Sequence, residues 1–314
     1  MSADQPFRPA DFSKIKTHPI AARKSLVNLS MLASLENYRR TGKLSALLPP
    51  TLKAAELLSV RDAILAARAR GAPVVAAMGA HVIKVGLSPI IIDLLERGIL
   101  SAVAFNGAGA VHDLEIAFHG ATSEDVAEEI RTGRFGMAEE TSAHFNAALA
   151  RRPDTGAGEA VGRYIVEERM PHARHSILAR AFELGAPATL HIALGTDITH
   201  VDARADGAVI GRAAMADFKL FTGVVARLSG GVYLNIGSTA LLPEVFIKSL
   251  SAARNMGHEV KDFFTVNMDM IQSYRPNVNV VNRPTRDGGR GVALTGHHEI
   301  MVPLLYHLLV GEGA

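Results

Sequence analysis

One unit recurs along this chain: a short apolar strand, a turn rich in Gly, Ser, Thr or Asn, and then an amphipathic helix. The copies run from Val74 to Gly79 toward Leu87–Glu96, from Val103 to Gly109 into Asp113–Phe118, from Val232 to Ser238 into Pro243–Asn255, and from Val292 to Gly296 into His298–Leu309. A fifth begins at Pro187–Leu194 and turns at Gly195-Thr196-Asp197. Strands that read as continuous apolar runs and alternate with helices predict an α/β fold, with a doubly wound, mainly parallel sheet of Rossmann type and helices on both faces. In such sheets ligands gather at the C-terminal edge of the strands. All the named turns fall on that edge.

With 314 residues, 48% of them hydrophobic, the chain can bury a substantial core. Formal net charge is +2, and the arginines are scattered rather than striped, which argues against nucleic acid as a partner. No cysteine is present, so disulfides, thiolate catalysis and sulfur-ligated metals are excluded. No apolar run reaches about 18 residues, and Met1–Lys24 mixes charges without the apolar block of a signal peptide. The expectation is a cytoplasmic protein with no membrane partner.

Several element limits are legible. Gly98 stops the helix ending Leu94-Leu95-Glu96-Arg97, Ser123 reads as an N-cap before Glu124-Asp125-Val126, and Pro243 suits a first helical turn. Met137–Arg151 reads as a helix and Arg152–Gly158 as an exposed connection, with a possible internal division at 151–158. Residues 1–55 lack the repeating rhythm and are expected to form a helical N-terminal arm, of the kind that packs on another subunit. Residues 56–314 are expected to form a single α/β domain.

The segment Val103-Ala104-Phe105-Asn106-Gly107-Ala108-Gly109-Ala110-Val111-His112-Asp113 carries the strongest ligand signal. Tiny residues let a ligand approach the backbone, and the helix N-terminus that follows offers free N–H groups to a phosphate or carboxylate. The third glycine of the dinucleotide fingerprint is missing.

The same run resembles the strand and Thr-Thr-Ala-Gly-Gly-Val-Glu-Glu turn of deoxyhypusine synthases, with Ala108, Gly109 and Val111 matching. Gly230-Gly231-Val232-Tyr233-Leu234-Asn235-Ile236-Gly237-Ser238 resembles that family's strand and triple-glycine turn, and Ile300–Leu305 its closing helix. The likeness spans roughly residues 73–309. Asn106, Ala110, Val111, His112, Asp113 and Glu115 also resemble the Asn-x-x-Ala-Val-His-Asp-x-Glu stretch of the NAD-binding domain of archaeal and cyanobacterial ornithine-cyclodeaminase-type proteins. The resemblance implies an NAD-binding domain within a homo-oligomer, a tetramer with cofactors near subunit interfaces. It implies that Asn106, Gly107, Ala108, Gly109, Gly237, Ser238, Asn267 and Met268 contact NAD, and that Asp113 replaces a glutamate near nicotinamide or substrate.

One departure excludes the synthase reaction. That family forms an imine on a lysine in a Trp-Gly-Lys context shortly before its last strand. Here the region reads Arg283-Pro284-Thr285-Arg286-Asp287-Gly288-Gly289-Arg290-Gly291, no lysine follows Lys261, and the chain has no tryptophan. An arginine cannot take over, because its guanidinium stays protonated. Lys84 is the one lysine placed to act as a relocated nucleophile.

Imidazole and carboxylate groups remain for acid–base work: His81, His112-Asp113, His191, Asp197, His200, Asp202 and His297-His298-Glu299. Asp113 and His112 are the expected catalytic pair, with His297 or His200 assisting in NAD-dependent oxidation or deamination of a small amine or amino acid. The plainer readings make His112-Asp113 a helix cap with a surface imidazole, His297-His298-Glu299 a first helical turn, and His191 a core residue. Two alternatives of other classes stand beside this one: a non-catalytic NAD-binding sensor or scaffold, and a metal-dependent hydrolase using His191, Asp197, His200 and Asp202.

Overall fold

A computed structural model describes residues 9–24, 26 and 28–312. Its six strands are β1 (Val74–Met78), β2 (Ala102–Asn106), β3 (Ala188–His191), β4 (Val232–Ile236), β5 (Phe264–Asp269) and β6 (Arg290–Thr295). They form one sheet in the order β3-β2-β1-β4-β5-β6, every pairing parallel. The order reverses between β1 and β4. That is the switch point at which open α/β sheets bind ligands.

The strands are short and buried on both sides, so alternate residues feed two cores. Val74, Ala76 and Met78 face one side with Val103, Phe105, Leu234 and Ile236, under the helices α1 (Leu52–Ala69), α2 (Ser88–Glu96) and α3 (Gly107–His119). Further along the chain α4 (Glu139–Arg151), α5 (Ala157–Glu167) and α6 (Ile177–Leu184) extend this layer. Val75, Ala77, Ala104 and Tyr233 face the other side, against Phe221 and Val225 of α7 (Gly207–Val225) and Phe246 and Leu250 of α8 (Leu241–Asn255). Tyr233 stacks on Phe246 with ring centroids 3.8 Å apart. The last helix, α9 (His298–Tyr306), follows β6. Five of the six strands coincide with the repeated units of the sequence. β5 does not, because no regular helix follows it at once and Thr265, Asn267 and Asp269 interrupt its apolar run.

Three local expectations are corrected. The small residues after β2 are not a turn: Asn106 caps α3 by accepting from the Gly109 N–H at 3.0 Å, so Gly107 is already helical. Ser123 is not an N-cap. It sits at φ +74°, whereas Asp125 accepts from the N–H groups of Ala127 and Glu128 and starts the short helix Val126–Glu129. Nor is Arg152–Gly158 an exposed connection throughout. A Cβ on Gly158 would lie 2.0 Å from the Ala188 carbonyl oxygen, so this glycine lets α5 press against β3. Between 9 and 51 the described residues form 3-10 turns and one short helix, Leu35–Thr41, and most are exposed.

Asp217 of α7 reaches into this packing. Its Oδ2 accepts from the N–H groups of Gly158 (2.9 Å) and Leu190 (2.8 Å), while Oδ1 lies against Gly156 with no partner. Burial pushes its carboxyl up to about 7. Above the ordinary carboxyl value of about 4 and below that folded value, the folded chain holds a proton that the unfolded chain releases. The stabilisation is therefore present at low pH and lost as pH rises through 7. In Asp217→Asn an amide NH2 takes the place of the bare Oδ1 and the proton is no longer needed. The variant is expected to gain about 2 kcal/mol on the wild type between pH 5 and pH 8, read from urea unfolding of both proteins at each pH. An unchanged difference would refute the assignment.

Candidate functional site

The C-terminal strand ends converge on a cavity of about 840 Å³. Asn106, Gly107 and Ala108 enter it from β2 and α3, Thr196 and Asp197 from the loop after β3, and Gly237-Ser238-Thr239-Ala240 from the turn after β4. Glu244 of α8 and Arg275, 3.4 Å apart, complete the lining. A smaller pocket of about 240 Å³ adjoins it and holds Lys84, His112, Glu115, Glu124 and Phe135. Ala108, Thr196 and Asp197 wall both spaces.

Close backbone approach makes the larger cavity possible. A Cβ on Gly79, at the end of β1, would lie 2.2 Å from the Gly237 carbonyl oxygen. Gly237 is held at φ +67° and its Cβ position is occupied by the His298 ring, so a side chain there is excluded twice over. The Asn235 side chain donates to the Ser238 carbonyl (2.9 Å) and to Asn267 Oδ1 (2.7 Å), and Asn267 donates to Gln272 Oε1 (2.7 Å). These buried amides brace the turn from beneath.

The cradle at the start of α3 is filled from within. Asp197 lies against the Cα of Gly107, where a Cβ would come within 1.9 Å of Oδ2. The N-terminus of α3 has thus captured the chain's own carboxylate, the kind of anion its free N–H groups favour. Burial pushes the Asp197 carboxyl above its ordinary value, against the opposing pull of His200. Its Oδ2 has no partner and stands 4.0 Å from His200 Nε2, also unpartnered. His200 Nδ1 accepts from the Gly195 N–H at 3.2 Å, which leaves the ring proton of the neutral imidazole on Nε2, toward Asp197.

Of the residues singled out from the sequence, Asn106, Gly107, Ala108, Gly237 and Ser238 meet at the larger cavity. Gly109 does not face it; its Cβ position meets the Phe105 side chain at 2.8 Å. Asn267 and Met268 lie buried within β5. His112 lines the smaller pocket. His297 is exposed and lies 3.7 Å from Glu299, while its neighbour His298 is 1% exposed, with Nε2 3.2 Å from the Met268 carbonyl oxygen. Asp113 is fully buried and accepts from the Ser176 hydroxyl and the N–H groups of Ile177 and Leu178. His191 packs edge-on against Phe221, and burial depresses it to about 4. Asp202 pairs with Arg204. His191, Asp197, His200 and Asp202 do not converge, and among the described residues no three His, Asp or Glu side chains are grouped to hold a metal ion.

Sequence reasoning missed Arg275, Glu244 and Thr239. They come from loop and helix positions that match no motif. The stretch Asp287–Gly289 sits at the N-terminal edge of the sheet, where Gly288 touches Asp262 and Gly289 the Phe263 carbonyl, away from the cavity.

The cavity can be tested against a dinucleotide. Its volume falls within the range of roughly 300–1,000 Å³ usual for ligand pockets. The start of α8 suits phosphate oxygens, with Arg275 beside it held 3.4 Å from Glu244 of the same helix. That end of the cavity suits the phosphates of a dinucleotide.

No family model matches the chain, and no curated protein is significantly similar to it. Among solved structures, a LOR/SDH-assigned protein from Methanococcus maripaludis S2 superposes with TM-score 0.54 at 16% identity, covering 82% of this chain and 70% of that one. AgrE, in a ternary complex with ornithine and NAD+, gives TM-score 0.54 at 18% identity over 82% of this chain, which spans only 32% of AgrE. A protein of Entamoeba histolytica assigned as a deoxyhypusine synthase gives TM-score 0.51 at 10% identity, covering 87% and 95% of the two chains. The chain shares the fold of these structures. Among the described residues no helix is long and apolar enough to cross a membrane.

Proposed function

We propose that this chain is an NAD-dependent enzyme that oxidises or deaminates a small amine or amino acid, with the dinucleotide in the larger cavity and the substrate in the smaller pocket. The observation that carries the reading is the shared wall: Ala108, Thr196 and Asp197 border both spaces at the switch point of the sheet. AgrE, bound to ornithine and NAD+, supports it through the common fold. Bound NAD supplies a hydride acceptor for the carbon that carries the amine. For that carbon to release hydride the nitrogen must first lose its ammonium proton, because a nitrogen lone pair drives the electrons out. His112 in the smaller pocket would take this proton: burial and the nearby Lys84, against the opposing pull of Glu115, hold its pKa below the ordinary value, so that the ring is neutral and its lone pair is free. Asp113 and His297 take no part: the first has its oxygens engaged inside the fold, the second points to solvent.

NAD at about a hundredfold excess over its Kd is expected to stabilise the fold by about 2.7 kcal/mol and to raise the melting temperature by roughly 4 °C. Calorimetry with NAD, followed by NADH fluorescence on adding a panel of amino acids and amines, checks both halves of the reading. No thermal shift would overturn it. A shift without NADH from any member of the panel would favour a non-catalytic sensor.

A further inference from the structure

His112 is held by a short chain of hydrogen bonds that the proposed function does not by itself require. Its Nδ1 lies 2.6 Å from Thr122 Oγ1. The Thr122 hydroxyl donates to Glu115 Oε2, and the Thr141 hydroxyl donates to Glu115 Oε1 at 2.8 Å. A threonine hydroxyl owns one proton. With that proton given to the Glu115 carboxylate, Thr122 Oγ1 can only accept, so the ring proton of His112 must sit on Nδ1. Nε2 then carries the lone pair. Among the described residues it has no hydrogen-bond partner and is not sealed from solvent, and the ring lines the smaller pocket.

We propose that Thr122 and Glu115 are positioning residues that fix His112 in its Nδ1–H form, so that the bare Nε2 accepts a proton from a group bound in the smaller pocket. This rests on reading that pocket as the substrate's. The group at Nε2 must be a donor: an ammonium or a hydroxyl fits, a carboxylate does not. Charged groups reach the pocket from each side, Lys84 from the short helix after β1, Glu115 on the ring's own helix, Glu124 from the loop after α3, and Asp197 from the loop after β3. Burial and Lys84 lower the pKa of His112 and Glu115 opposes them, which keeps the ring neutral and able to accept at neutral pH. Thr141, from α4, ties Glu115 to a second helix and so fixes the carboxylate that orients the hydroxyl.

The test is nitrogen NMR of the full chain with labelled histidine, the His112 signal being identified by its loss in His112→Gln. Wild-type His112 is expected to show a protonated Nδ1 and a bare Nε2. Thr122→Val should abolish this pattern, Thr122→Ser should keep it, and Glu115→Gln should lower the His112 pKa. A wild-type ring protonated on Nε2, or a pattern unmoved by Thr122→Val, would overturn the inference. NAD titration of the same samples separates the two readings. NAD binding with the wrong tautomer sinks the relay and leaves the enzyme reading standing, whereas the right tautomer without NAD binding removes the substrate-pocket premise and with it the role given to Nε2.

Discussion

Asp113→Ala is expected to lower folding stability by about 3–4 kcal/mol, since buried donors left without a partner cost about 1–3 kcal/mol each and water can reach few of them. Both carboxylate oxygens are engaged. Oδ2 accepts from the Ser176 hydroxyl and the Leu178 N–H (3.1 Å), and Oδ1 accepts from the Ile177 N–H (2.8 Å). Ser176 in turn caps α6 by accepting from the Ala179 N–H. The carboxylate thus serves as a second cap that pins the start of α6 to α3, at 0% exposure. Asn is no substitute here, because whichever oxygen becomes NH2 faces a donor. Asp113→Asn should therefore lose about 2 kcal/mol, in contrast to Asp217→Asn, where the replaced oxygen lies against Gly156 and accepts no hydrogen bond. Chemical unfolding of the three variants decides the matter. If Asp113→Asn were as stable as the wild type, the carboxylate would not be the cap described.

The contrast shows what the sequence discloses. A repeated apolar strand, small-residue turn and helix predicted the parallel sheet because burial on both faces leaves a period-free apolar run, and five of the six strands follow it. The placing of Asn106 through Ala108 and Gly237-Ser238 at one edge was legible for the same reason: strand ends in a parallel sheet must share an edge. The direction of each side chain was not. His112 and Asp113 are adjacent, yet a helix turns about 100° per residue, so one lines a pocket and the other enters the core. His297 and His298 divide likewise. Residue type alone offers Asp197 as an acid–base group or, in the alternative reading, a metal ligand, whereas its position is decided by Gly107, whose missing Cβ lets a carboxylate settle on the start of α3. Gly109 looked like its partner in a ligand cradle, but it is small because Phe105 packs over it. Identical residue types one or two positions apart answer to different neighbours, and some of those neighbours, such as Asp197 against Gly107, are distant in the chain.

The shared wall makes Ala108→Phe the sharpest perturbation of the proposed ligand site. Ala108 is absent from both cores, sits in the first turn of α3 and faces the two spaces together. A phenyl ring there would project into the junction where a dinucleotide and a small substrate must meet. It would fill volume and displace nothing in the core, so the melting temperature without ligand should stay within about 2 °C of wild type, as for surface changes of about 0.5 kcal/mol. NAD affinity should fall roughly a hundredfold, about 2.7 kcal/mol, as measured by isothermal titration. Ala108→Ser, which adds one hydroxyl to the same wall, should bind NAD within a few-fold of wild type. Gly109→Val cannot serve this purpose, because its side chain would strike Phe105 and unsettle the fold before any ligand is met. Wild-type NAD binding by Ala108→Phe would place the dinucleotide elsewhere on the molecule, and the wall between the two spaces would lose its claim to be where cofactor and substrate come together.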